Sequence, residues 1–161
     1  MYVTYEQMPM NSRVWMYQSP RALTPDEVAL MRVRLYDFCE EWVAHGTNLQ
    51  CSFSIIYDRF VALLVNEEQA KASGCSIDSS THIMKELGQK FDVDFLDRMT
   101  ITYLNSEGIL EDGSTADFKE FLNHQESPAD IIVFNNTIGS KKELETEWEV
   151  PAKQSWQARF L

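Results

Sequence analysis

The side chains in this chain that could do chemistry are few and scattered. They are three histidines, His45, His82 and His124, and three cysteines, Cys39, Cys51 and Cys75. Cys75 stands in Ser73-Gly-Cys-Ser-Ile-Asp78, followed by Ser79. A cysteine just ahead of a helix N-terminus can carry thiolate character, because the helix end presents free N–H groups and partial positive charge. The same end attracts an anion, and Gly74 lets backbone approach a ligand closely. A histidine brought beside it could orient a ligand or act as a base. The expected ligand-binding set is therefore His45, Gly74, Cys75, Asp78 and Ser79, with a small anion as the ligand. A catalytic extension would use Cys75 as nucleophile and His45 as base, but no sequence motif assigns a catalytic residue.

The order of elements is what would bring these residues together. Arg13–Gln18 reads as a first strand. Thr24-Pro-Asp-Glu27 is a capping box with proline in the first turn. Val28, Met31, Leu35, Phe38 and Trp42 then form one apolar stripe, so a helix is expected over about 25–45 with Gly46 as its stop. Leu49–Tyr57 and Phe60–Asn66 read as a hairpin turning at Asp58-Arg59. The second of these strands is almost continuously apolar, as a strand covered on both faces is. A connection over 67–77 leads to a second helix capped by Asp78 or Ser79, with Ile83, Met84, Leu87 and Phe91 inward. Arg98–Leu104 alternates as a fourth strand.

Strand, helix, strand, strand, helix, strand is the order of the ferredoxin-like split βαβ arrangement. The expected fold class is thus α+β. A ferredoxin-like core over about 12–104 carries an α/β C-terminal extension, 105–161, that covers the open sheet face or adds a strand to it. In this topology His45, Glu67, Cys75, Asp78, Ser79 and His82 all fall at one end of the sheet. In the extension, Ser114 opens a short helix with Phe118, Phe121 and Leu122, and Ile131–Phe134 is a strand. Glu143–Val150 alternates like a strand, yet Ser140 with Glu143 forms a capping box; helix is slightly favoured. All 161 residues are expected to form one domain.

Composition narrows the function classes. Fourteen basic against 25 acidic residues leave a formal charge of −11, and no basic cluster exceeds Lys141-Lys142. Nucleic acid is therefore not an expected partner. No apolar run is long enough for a membrane span. The first residues lack a secretory pattern, and the cysteines are odd in number and widely spaced, so a cytoplasmic location with reduced thiols is expected. Cys39 and Cys51 sit in apolar contexts and read as core. No glycine belongs to a phosphate-cradling loop or dinucleotide fingerprint, and no zinc motif is present, so no metal and no cofactor is expected. The aromatic group around Trp15 and Tyr17, with Arg21, is either core or a recognition surface. The competing reading is accordingly a non-enzymatic interaction or regulatory domain with a protein partner, or a homodimer.

Several pieces resemble a family of small bacterial proteins of this length. They are Trp15-Met-Tyr-Gln18 with Arg21, Trp42-Val-Ala-His45-Gly46, Tyr57-Asp-Arg59-Phe60, and Ala72-Ser-Gly-Cys75-Ser-Ile-Asp78. In the extension they are Val133-Phe-Asn-Asn136, Trp148-Glu-Val-Pro151-Ala, Ser155-Trp156 and Arg159-Phe160. Gln157 stands where the resemblance leads one to expect histidine. Members are sometimes labelled ABC-transporter ATPases. The chain lacks the Gly-rich loop with its lysine that such an ATPase requires, so the resemblance implies no activity.

Overall fold

The computed structural model describes residues 1–161 and is mixed α+β, with four helices and three antiparallel sheets. The largest structural unit begins with β1 (Arg13–Gln18), α1 (Pro25–Glu41), β4 (Gln50–Ile56), β5 (Phe60–Asn66) and α2 (Gly74–Phe91). Between α1 and β4 a miniature hairpin, β2 (Val43–Ala44) and β3 (Thr47–Asn48), turns at His45-Gly46. The strand order is β1-β5-β4, antiparallel throughout. The two strands connected through α1 thus flank β5.

Alternation along the strands assigns the two faces. Tyr17, Val61 and Leu63 point to the helix side and pack with Met31 and Leu35 of α1 and Ile83, Met84 and Leu87 of α2. Val14, Phe60, Ala62 and Leu64 point the other way, against Met8, Phe134, Ile138, Leu144 and Trp148. Both faces are thus covered, and every residue of β5 is buried. The extension does cover the open face, and the N-terminal segment helps it.

The four-stranded ferredoxin-like sheet does not form. The expected fourth strand, here β6 (Ile101–Leu104), belongs to a second, four-stranded sheet. Its partners are β7 (Leu110–Gly113) and β8 (Ile132–Phe134), and β9 (Glu149–Pro151) closes the row. The reason lies in the turn and in the apolar face. Gly108, at φ +76°, closes a tight turn back onto Asn105, so β6 pairs with its own neighbour. Ile101 and Tyr103 then pack on Phe118 and Leu122 of α3 (Thr115–Asn123) instead of on α2. The outer edge of β1 is met by the extension: Val14 N–H donates to the Gly139 carbonyl at 3.0 Å. Residues 1–3 cover part of the opposite edge along Cys51.

Two helix boundaries also differ from expectation. α1 does end in the predicted stripe, but at Glu41, because Trp42 is extended and the β-prone Val43-Ala44 enters the small hairpin. α2 starts at Gly74, earlier than a cap at Asp78 or Ser79 would allow. Ser73 is the cap, and it forms a reciprocal box with Ser76. Over 141–151 both sequence signals operate in turn: the Ser140–Glu143 box opens α4 (Lys141–Thr146), and the alternation becomes β9. No helix is long and apolar enough to cross a membrane.

Candidate functional site

Trp42 ties the small hairpin to α2, its indole Nε1 donating to the Ser76 carbonyl at 2.8 Å. The His45-Gly46 turn has φ of +50° and +75°, the mirror-image turn that suits two-residue hairpins. His45 is exposed at its tip. Gly74, Cys75, Asp78 and Ser79 lie in the first turns of α2 and are all exposed. The Ser79 hydroxyl is spent on the Cys75 carbonyl, at 3.0 Å. Glu67 turns to Arg13 at 3.4 Å.

Cys75, Asp78, Ser79 and His82 do share a surface, an open groove of about 810 Å³ between α1 and α2. His45 and Gly74 are not part of its lining. The groove carries the carboxylates of Asp37, Glu40, Glu41, Asp78 and Glu86 against one arginine, Arg34, which pairs with Glu86 at 2.7 Å. A helix N-terminus supplies about half a positive charge. Several full negative charges outweigh it, so the arrangement does not favour an anion. Cys39 and Cys51 are fully buried, as expected of core residues; Cys75 is exposed, and all three cysteines are free. Trp15 is half-buried and tilted against Trp42 at 5.9 Å, and Tyr17 is buried with its hydroxyl on Ser80, so this aromatic group packs on the core.

A second cavity, of about 460 Å³, lies where the two sheets meet. Four separated segments wall it: the end of β1, residues 95–102 without Met99, Phe134–Thr137 without Asn135, and Trp156-Gln157. Phe95, Tyr17, Phe134 and Trp156 supply aromatic surface. The polar side chains form one chain of hydrogen bonds. Trp148 Nε1 donates to Asn136 Oδ1 at 2.9 Å, and Asn136 Nδ2 donates to Gln18 Oε1 at 2.8 Å. Gln18 Nε2 donates to Thr102 Oγ1 at 2.6 Å, which donates to Asp112 Oδ1 at 2.6 Å. Asp112 Oδ2 receives Arg59 Nε at 2.9 Å. Gln157, 2% exposed, is pinned between Ser155 and the Phe134 carbonyl.

These residues escape a reading by local spacing, since Gln18 and Asn136 are 118 positions apart. The only sequence signal was that Gln18, Arg59, Asn136, Trp148 and Trp156 all fall in the pieces that carry the family resemblance.

Behind the cavity wall, burial pushes the Tyr103 hydroxyl up to about 12 from 10.0, helped by the Glu111 carboxylate 3.1 Å away. A raised folded-state value favours the protonated, folded form. Its contribution is fully present below pH 10 and is lost as pH rises through 12. Denaturant titrations across that window should show a loss of stability, and Tyr103→Phe should lessen it, the raised Tyr5 and Tyr57 hydroxyls leaving the remainder. An equal slope in the variant would remove Tyr103 as the cause.

No family model, no curated protein and no solved structure matches this chain.

Proposed function

We propose that this is a small-molecule-binding protein whose site is the cavity between the two sheets. The observation that carries the reading is the convergence of four distant segments on a partly enclosed space with aromatic walls and fixed polar groups, the usual anatomy of a ligand site. No histidine, cysteine or lysine lines it. Its polar lining is amides, hydroxyls, the Arg98 guanidinium and the Asp97 carboxylate, which is already bonded to Thr100 and to the Met99 N–H, and such groups suit the holding of a ligand. The reading is therefore binding, with the fixed network Trp148–Asn136–Gln18–Thr102–Asp112–Arg59 keeping the pocket in shape.

Thr137 lies exposed at the cavity rim. A thermal-shift screen of small acids, amino acids and nucleosides should yield a ligand that raises Tm by several degrees at about 100 times its Kd. Thr137→Trp should fill the mouth, leave the unliganded Tm unchanged, and abolish the shift. A shift that survives Thr137→Trp but is lost in Cys75→Ala or Asp78→Ala would move the site to the helix groove.

One observation favours a second reading. Asp37, Glu41 and Asp78 face that groove and form none of the chain's six ion pairs. They suit a basic segment of a protein partner, which is the interaction-domain alternative. Such an association would weaken steeply with salt.

A further inference from the structure

The hydrogen-bonding groups around the sheet-junction cavity are unevenly spent. Gln18, Asn136 and Gln157 each donate one of their two amide hydrogens within the protein, to Thr102, to Gln18 and to the Phe134 carbonyl. Each amide oxygen already accepts a bond in the first two cases from Asn136 and Trp148, and in the third from Ser155. Trp156, at the mouth, is 37% exposed, and its indole N–H is not among the chain's donating tryptophans, which are Trp42 and Trp148. Arg98 is the only cation on the lining and takes part in none of the six ion pairs. The only lining carboxylate, Asp97, is occupied by the Met99 N–H at 2.7 Å and the Thr100 hydroxyl at 2.6 Å.

The cavity thus offers free donors, one unpaired guanidinium, and flat apolar walls. Resting on the reading of this cavity as the ligand site, we infer that its ligand is a small monocarboxylate with a planar, apolar body. The carboxylate meets Arg98 and the Trp156 N–H at the mouth, and the ring lies along Trp156 and Phe95. A guanidinium matches the planar carboxylate with paired N–H bonds. A dianionic phosphate fits less well, because Asp97 sits next to the single cation and no second positive group is present.

The test uses the intact chain and four probes of one shape: benzoate, benzamide, benzylammonium and phenylphosphonate. Two readouts are taken together, the Kd by titration calorimetry and the Trp156 indole N–H resonance, assigned by its absence in Trp156→Phe. Benzoate should move the indole resonance and bind at least about tenfold more tightly than each of the others, the scale of a charge-assisted hydrogen bond. Arg98 is exposed, so Arg98→Gln should fold normally. It should weaken benzoate about tenfold and leave benzamide unchanged, and Arg98→Lys should recover part of the loss. If benzamide or benzylammonium moves the indole resonance and binds as well as benzoate, or if Arg98→Gln leaves benzoate unaffected, the carboxylate assignment is overturned while the cavity stands. If no probe moves the resonance at concentrations that saturate the calorimeter, the cavity reading falls with it.

Discussion

Arg59→Ala should cost about 2–3 kcal/mol of unfolding free energy, between the scales of an exposed ion pair and of a fully buried one broken from one side. Arg59 reaches from the turn between β4 and β5 to Asp112 on β7, so this pair bridges the two sheets. The side chains are only 15% and 13% exposed. With the guanidinium gone, the carboxylate keeps Thr102 as partner but loses its counter-charge at the sheet junction. The penalty comes mainly from that stranded charge, so Arg59→Ala with Asp112→Ala should be less destabilised than the sum of the single variants. Urea denaturation of the four proteins closes the cycle. A single-variant loss below about 1 kcal/mol, the range of exposed pairs, would mean that water reaches the pair and that it contributes little to joining the sheets.

Trp148→Ala should be more damaging, about 3–5 kcal/mol, for a different reason. The ring is 4% exposed and stands edge-on to Phe60 at 4.9 Å, with Phe134 also at 4.9 Å. It joins the covered face of the first sheet to the strand edge of the second. Its N–H fixes Asn136, and through it Gln18. Trp148→Phe separates the two roles. It keeps most of the packing but leaves Asn136 Oδ1 without its donor, at a cost of about 1–3 kcal/mol. Ligand affinity at the cavity should fall in Trp148→Phe, since the Asn136 amide loses its orientation. Unchanged affinity there would show that the network shapes the fold but not the pocket.

Local signals in the sequence carried most of the individual elements. The Thr24–Glu27 box and the stripe from Val28 to Phe38 specify α1, and the unbroken apolar run from Phe60 to Val65 correctly implied a strand covered on both faces. Partner choice was not legible. The alternation in 98–104 specifies a strand, yet nothing in it says whether Ile101 and Tyr103 meet α2 or Phe118; the turn at Gly108 decides that. The site was harder still. Topology placed His45, Glu67, Cys75, Asp78, Ser79 and His82 at one end; only the four on α2, Cys75, Asp78, Ser79 and His82, line the groove, and topology could not register that α1 brings Asp37, Glu40 and Glu41 there. Helix phase decides such a meeting, and a one-residue shift in where Ser73 caps α2 changes which side chains face it. The sheet-junction network depends on contacts between the two ends of the chain, where no spacing rule applies.

The most direct test of the central claim is an assigned amide-shift map of the intact protein titrated with benzoate. The account predicts that perturbations gather at Gln18, Leu96–Thr102, Asn136-Thr137 and Gln157, the segments that meet at the sheet junction. Perturbations confined to residues 34–41 and 75–86 would contradict it and place binding in the groove between α1 and α2.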